Sequence, residues 1–352
     1  MFLFFHFFYP KIIKLKQNIM FCQYFYVYIF LFFFMKKVIL FGSGDLFFNF
    51  VDFLFQQGVN ISAVISSKDE KIGRGNKIIF STTKIFCEYK MIPYYQPCFL
   101  NNIKYISFFY FLKSDIIIVF NYGKLLDCNF LLFPNYSSIN FHVSLLPMYR
   151  GASPISSSLV SNDLKSGISL ILMDDCFDSG YVIFSKSFYN IFNYNFLVLT
   201  SKILSFLFEC FFQVFILFFL KKNVCFFQDV FFLSLSYKLK KDNSIICIFD
   251  FCLKIKCNII GISFWPSVIY CFQGEQFKIL SSFLLFNSKR VHKIFVPGTI
   301  LSFDITGIFT LSLDYFYIIN DIQYFFGDNF NFVTIYNCKK NFFLSGKYFY
   351  KK

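Results

Sequence analysis

A chain of 352 residues is long enough for two domains of ordinary size, and its 12 cysteines include no C-x-x-C pair and no cysteine/histidine cluster, which argues against a zinc centre and suits reduced, cytosolic thiols. Phe (61) and Tyr (23) are swollen whereas Ala (Ala63, Ala152) and Arg (Arg74, Arg150, Arg290) are nearly absent, a skew toward residues with A/T-rich codons; the mean hydropathy of +0.56 therefore reflects mutational bias and not a series of membrane spans. The net charge of +14 suits a polyanionic partner, with lysine inflation by the same bias as the competing explanation.

In residues 1–34, Lys11, Lys14 and Lys16 precede an uncharged aromatic run, Gln17 to Met35, of borderline length for a spanning helix and without a small-residue cleavage site. The first predicted strand follows at once, leaving no linker for an anchor. Met35 is the expected natural start and 1–34 a leader outside the fold, a membrane anchor being the alternative.

Lys37 to Phe41 reads as a buried strand, followed by the turn Gly42-Ser43-Gly44-Asp45, a helix to about Gln57 and a second strand, Asn60 to Ser66. Strand, helix, strand at this spacing predicts a parallel sheet with right-handed crossovers. It is not a dinucleotide fingerprint, because Phe47 stands at the third glycine position. Lys68 to Lys77, KDEKIGRGNK, reads as a solvated basic loop. Ser81 to Lys90 predicts a helix, Tyr94 to Gln96 a short strand, Asn101 to Lys113 a helix, and Asp115 to Phe120 a strand ending at Asn121-Tyr122-Gly123.

The stretch from Ser138 to Asp178 is the most informative. Ile139 to Val143 alternates as a strand, so Asn140 and His142, two apart, share a face. SLLPMYRG then predicts an irregular loop, a short helical run follows, and a strand from Ile168 to Met173 ends in DDCFDSG, where Asp178 can return beside His142. Singly these are ordinary: a strand histidine is usually a satisfied core or surface group, and Asp-Ser-Gly is a common turn. Of the three histidines, however, His6 lies in the leader and His292 in a Lys/Arg-rich loop, which leaves His142 as the candidate for chemistry. Ligands of open α/β sheets sit beyond the carboxyl ends of the strands, where Tyr122, Asn140 and Asp178 are all expected.

Ile191 to Leu220 predicts a long apolar helix, and its Lys202, Glu209 and Gln213 argue for a domain-closing helix over a membrane span. Residues 221–244 read as a linker. Beyond about Ile245 the pattern becomes short strands and turns (KIL, GTILSFD, GIFTLSLDYF, NFVTIY), which predicts a small β-barrel. From Ser236 to Lys352 fourteen Lys/Arg face seven Asp/Glu, which suits contact with nucleic acid, a merely structural barrel being the alternative.

NFHVSLLPMYRGASPI followed by MDDCFDSG resembles the 10-formyltetrahydrofolate-dependent formyltransferases, with their Asn-x-His, Ser-Leu-Leu-Pro and Asp-[Ser/Thr]-Gly elements. VILFGSGD is similar to that family's first strand and turn, KDEKIGRGNK to its Gly-Arg-Gly loop, SYKLKKDN to its Tyr-x-x-Lys-Leu connection, and FWPS with VPGTIL to the C-terminal domain of the branch acting on methionyl initiator tRNA. The resemblance covers roughly residues 36–350. It implies an open, mostly parallel Rossmann-like sheet over residues 35–220, the linker 221–244, and an OB-like tRNA-binding barrel over 245–352.

The resemblance also implies the chemistry. Asn140, His142 and Asp178 would be catalytic; Tyr122, Ser144, Leu145, Leu146 and Pro147 would bind the folate; and Arg74, Lys71 and Lys77 would contact the tRNA acceptor end. 10-Formyltetrahydrofolate would be a cosubstrate with no metal needed, and the expected protein is a cytoplasmic monomer without a membrane partner. A related enzyme acting on an amino sugar nucleotide, or a decayed tRNA-binding protein, are the alternatives. Three positions depart from the family: Val143 where glycine is usual after the histidine, which could crowd the formyl pocket; Gly44 in place of a proline; and Met148 where a basic residue is common.

Overall fold

In a computed structural model of the chain, Val38–Gly42 (β1) and Ile116–Phe120 (β6) are apolar runs with every residue buried, the pattern of parallel strands covered on both faces. The structure describes residues 36–72, 77–98, 107, 110–190, 194–219, 225–244, 251–272, 275–285, 300–304, 307–312, 316–324 and 329–331. The leader 1–34, Arg74, His292, the VPGT segment and most of the Asn101–Lys113 range lie outside them. The fold divides into two units, the first comprising residues 1–122, 126–138 and 215–220, the second 123–125, 139–214 and 221–352.

In the first unit, β1 pairs in parallel with β6 on one side and with Ile61–Ile65 (β2) on the other, and β2 pairs in parallel with Tyr94–Tyr95 (β5). Helix Gly44–Gln56 (α1) buries Phe47, Phe50, Val51 and Leu54, spaced to form one face, and Phe50 packs on Phe120 of β6 with ring centroids 5.1 Å apart. Helix Thr82–Tyr89 (α2) inserts Phe86 between Phe48 and Phe55 of α1, each pair edge to face at 5.7 Å. After β6, Asp127 caps the short helix Cys128–Leu131 (α3) by accepting from the Asn129 amide at 2.9 Å. Gly44 holds φ +78°, which a proline ring cannot adopt, so the departure from the family turn goes with a different backbone conformation here.

The basic segment expected as a loop is instead a hairpin. Glu70–Ile72 (β3) pairs antiparallel with Lys77–Ile79 (β4), Lys71 opposite Ile78 and Ile72 opposite Lys77. The four residues between the two strands, Gly73 to Asn76, lie outside the described residues. At the base, Asp69 accepts from Lys84 Nζ at 2.9 Å, Gln96 Nε2 at 3.0 Å and the Ser81 amide at 3.3 Å. Burial is the largest single influence on this carboxyl and pushes it up, but the three donors together with the Lys84 charge hold it below the usual aspartate value.

In the second unit, residues 139–142 of strand Ser137–His142 (β7) pair antiparallel with Lys165–Leu172 (β9), which pairs antiparallel with Val182–Tyr189 (β10). Helix Phe196–Phe219 (α5) lies where the long apolar helix is predicted; it buries Leu199, Ile203, Leu207, Cys210, Phe211 and Val214, and packs Phe211 on Phe141 of β7 (5.9 Å) and Phe206 on Phe188 of β10 (5.1 Å). It is the one helix among the described residues long and apolar enough to cross a membrane, yet its inward stripe is occupied by these strands.

The C-terminal part opens with an element that sequence reading missed, helix Cys252–Ile262 (α6), whose Gly261 approaches helix Pro154–Val160 (α4) so closely that a Cβ there would lie 2.6 Å from Val160 Cγ2 and 3.0 Å from the Ser156 carbonyl. CLKIKCNIIGI lacks a strong helix former at most positions, so tertiary packing on α4 and not propensity selects the helix. A six-stranded antiparallel sheet follows: Val268–Phe272 (β12), Glu275–Leu285 (β13), Phe316–Tyr324 (β16), Gly307–Leu311 (β15) and Ile300–Asp304 (β14) in that order, with Asn329–Asn331 (β17) on β16.

Two outcomes follow from this packing. Phe211→Ala is expected to cost about 3–5 kcal/mol, read as a lowered midpoint in urea. Because Asp69 is depressed in the folded state, its contribution is present above the unfolded pKa and is lost as pH falls through the folded one. Amide exchange in β3 and β4 should therefore accelerate on acidification below the carboxylate range, and Asp69→Asn should abolish that pH dependence.

Candidate functional site

Strand β7 carries Asn140 and His142 on one face, and its register on β9 sets His142 opposite Ser169 and Asn140 opposite Ile171. Asp178 lies in the turn that joins β9 to β10, and its carboxylate returns to both of them. Asp178 Oδ1 accepts from Asn140 Nδ2 at 2.9 Å and stands 3.4 Å from His142 Nδ1, while Oδ2 accepts from the Gly151 amide at 2.8 Å. The His142 and Asp178 side chains are only 7% and 11% exposed, so the charge is balanced by these partners and not by bulk water.

His142 Nε2 lies 2.8 Å from the Tyr149 carbonyl oxygen. A carbonyl only accepts, so the hydrogen sits on Nε2 and Nδ1 faces the carboxylate. The ring nitrogen open to proton exchange is thus Nδ1, which faces Asp178. The arrangement can hold a proton there, pass it on, and offer the second Asn140 N–H to an oxygen.

The turn is shaped by backbone demands. Asp178 has φ +53°, a left-handed conformation that aspartate tolerates better than most residues. A Cβ on Gly180 would collide with the Leu172 carbonyl, so the Asp-Ser-Gly order is required by close approach. Ser179 Oγ donates to the Asp174 carboxylate (2.7 and 2.8 Å), closing the acidic loop on itself.

The SLLPMYRG loop is pinned along its length. Ser144 is buried and its Oγ donates to the Met148 carbonyl at 2.6 Å; the Leu146 amide donates to Ser169 Oγ at 3.0 Å, which itself donates to the Ser144 carbonyl at 2.8 Å. Leu145 packs its Cδ2 against Gly167, and Pro147 offers its carbonyl to the Ser234 amide at 3.4 Å. Val143 is half-buried at the head of this loop. Tyr122 belongs to the first unit: it is half-buried, edge-on to Phe41 at 5.6 Å, its enclosed hydroxyl has no hydrogen-bond partner among the described residues, and burial pushes its pKa up to about 12. Lys71 and Lys77 stand on β3 and β4.

Sequence reasoning missed three parts of the site. Tyr149 holds φ +59°, gives its carbonyl to His142, and donates its hydroxyl to Asp163 Oδ2 at 2.6 Å. Burial and this bond to Asp163 push the Tyr149 phenol up to about 12, and burial also raises Asp163, so the proton stays on the phenol. The segment expected as a linker lies on the loop: Leu235–Ser236 (β11) pairs in parallel with Arg150–Gly151 (β8), Ser234 Oγ accepts from the Tyr149 amide at 2.8 Å, and Ser236 Oγ accepts from the Ser153 amide at 3.0 Å. Gln228 donates Nε2 to the carbonyls of Asp178 and Gly180, both at 2.8 Å, and accepts from Arg150 Nε at 2.9 Å. The one available signal was the period-two run Leu233-Ser234-Leu235-Ser236, which reads as a strand. Among the described residues no group of three or more His, Cys, Asp or Glu is placed to hold a metal ion.

Removing the phenol hydroxyl leaves Asp163 desolvated without its donor. Tyr149→Phe should cost about 1.5–3 kcal/mol at neutral pH. Asp163 is raised in the folded state, so the penalty grows as pH rises through its folded pKa and shrinks in acid where the carboxyl is protonated; paired urea melts at pH 7 and pH 4 measure the difference.

The sequence profile of the formyl transferase family matches residues 35–205. Methionyl-tRNA formyltransferase of Buchnera aphidicola subsp. Schizaphis graminum is 40% identical over 152 residues, 42% of this chain and 48% of that protein; the one from Prochlorococcus marinus subsp. pastoris is 35% identical over 168 residues, 47% and 51%. The chain thus spans about half the length of the curated relatives it matches. Among solved structures, an N-formyltransferase from Helicobacter canadensis, in complex with folinic acid and dTDP-3-aminofucose, superposes with a TM-score of 0.60 at 18% identity, over 84% of this chain and all of that one. HypX from Aquifex aeolicus, in complex with tetrahydrofolic acid, gives 0.58 at 11% identity, over 86% and 46%. The α/β fold with its parallel sheet is the fold of these formyltransferases, and the formyl transferase profile matches residues 35–205, just under half of the chain.

Proposed function

We propose that the protein transfers a formyl group from 10-formyltetrahydrofolate to the α-amino group of methionyl initiator tRNA, a cytoplasmic step of translation initiation. The observation that carries this is the convergence of Asn140 and His142 on the Asp178 carboxylate, both within 3.4 Å of it, in a domain whose curated relatives are named for that reaction.

The acceptor amine has an ordinary pKa near ~8, so a useful neutral fraction exists at cytosolic pH. Its lone pair forms the new N–C bond to the formyl carbon, the bond to folate N10 breaks, and charge develops on the formyl oxygen in between. The second Asn140 N–H is the donor for that oxygen, preorganised because Asp178 fixes the amide, while both His142 ring nitrogens are engaged, Nε2 with the Tyr149 carbonyl and Nδ1 toward Asp178. The proton shed by the attacking amine enters the pair formed by the His142 imidazole and the Asp178 carboxylate, which returns it to the departing folate nitrogen. Ser144, Leu145, Leu146 and Pro147, with Tyr122, are assigned to the folate by the family motif. Lys71, Lys77 and Arg74 are assigned to the acceptor end of the tRNA; the β3–β4 hairpin supports this by carrying two lysines on a stem whose base is clamped.

Within the same reading, residues 35–220 form the catalytic domain, 221–244 the connection, and 245–352 an OB-like tRNA-binding domain, the last supported by six antiparallel strands and the surplus of basic residues. The expected active species is a monomer.

The test is formyl transfer to methionyl initiator tRNA, with an amino sugar nucleotide as competing acceptor. His142→Ala and Asp178→Asn should each lower kcat by about 10²–10³-fold with tRNA binding retained. Unchanged turnover in both variants would sink the assigned roles, and transfer to the sugar alone would keep the chemistry but overturn the acceptor.

A further inference from the structure

The segment from Phe226 to Tyr237 is turned inside out. Phe226, Phe227, Phe231, Phe232, Leu235 and Tyr237 point to solvent, with Phe231 92% exposed, whereas Gln228, Ser234 and Ser236 turn inward. Apolar burial alone would choose the opposite orientation. The polar side chains are held inward because each completes a backbone group of the site: Ser234 takes the Tyr149 amide, Ser236 the Ser153 amide, and Gln228 the carbonyls of Asp178 and Gly180.

We propose that Gln228 is a positioning residue for transfer, holding the Asp178 turn in register with the Arg150–Gly151 strand so that the carboxylate stays against Asn140 and His142. This rests on the reading of Asp178 as a member of the transfer site. One amide spans the two halves of the carboxylate's surroundings. Its Nε2 fixes the backbone of Asp178 and Gly180 from one side, and its Oε1 takes Arg150 Nε on the other. Arg150 is covalently next to Gly151, whose amide binds Asp178 Oδ2. The segment is itself anchored at both ends, by the reciprocal Val182–Phe226 backbone bonds (3.0 and 2.9 Å) and by the pairing of β11 with β8. A turn held at φ +53° keeps that conformation only while its surroundings over-determine it, and Gln228 supplies two of the bonds that do so.

The test uses the full chain and the variants Gln228→Ala and Gln228→Glu, alone and with Asp178→Asn. Gln228→Glu keeps an acceptor for Arg150 but loses both donors to the turn, so it should behave like alanine. Each is expected to lower kcat by about 10- to 100-fold, with KM for the folate and the tRNA held within about twofold and the thermal midpoint unchanged. In the Asp178→Asn background the further loss should vanish, because the two residues act through one group. A raised KM with kcat intact, or an equal loss in both backgrounds, would overturn the proposal.

A second readout needs no activity. Exchange of the Gly151 amide, which reports the bond to Asp178, should accelerate at least about 10-fold in Gln228→Ala while α5 amides are unmoved. Absent transfer by the wild type, the functional reading fails, and the Gly151 amide alone decides the positioning proposal: unchanged exchange there would end it.

Discussion

A carboxylate taken out of water must recover its hydration from fixed donors, and at Asp178 those donors come from three places in the chain. The side chain of Asn140 arrives on β7, the ring of His142 from two residues further along the same strand, and the amide of Gly151 from the loop beyond it. None of these bonds is individually strong enough to define a fold; together they fix the distance between strand, loop and turn. The turn is strained, the loop contains a second left-handed residue at Tyr149, and both are stabilised by the segment running over them from Phe226 to Ser236.

That arrangement explains the order of the histidine's bonds. Tyr149 offers a carbonyl to Nε2, so the ring orientation is set before any substrate binds, and the other nitrogen is left facing Asp178. Tyr149 is in turn held by Asp163, whose burial raises its pKa and which accepts from the phenol. The geometry of the candidate site depends on groups one step farther out, each satisfying a backbone atom or a desolvated charge.

A composition biased toward phenylalanine leaves its mark on the rest. Aromatic rings fill the interior of both units, as Phe50 on Phe120 and Phe211 on Phe141 show, and the excess is carried on the surface of the inverted segment. With so many apolar residues, hydrophobicity carries little information about which side of an element faces inward, and the few polar residues decide it instead. Gln228, Ser234 and Ser236 face inward because the backbone beneath them has unpaired donors and acceptors.

The sequence by itself determined the parallel strands β1, β2 and β6 and the apolar helix α5, because period and continuity of apolar residues are local properties of the chain. It also singled out Asn140, His142 and Asp178, through a two-residue spacing on one strand and a motif of known family. Four features were decided only in three dimensions. The basic segment became a hairpin because a clamp at Asp69 closes its base; Cys252–Ile262 became a helix because Gly261 lets it lie on α4; the linker became part of the site because its serines and Gln228 meet a loop about eighty residues away. Tyr149 joined the site through its carbonyl, which every residue possesses and no pattern of side chains can mark. In each case the deciding interaction links backbone or polar groups distant in sequence, and such pairings leave no periodicity to read.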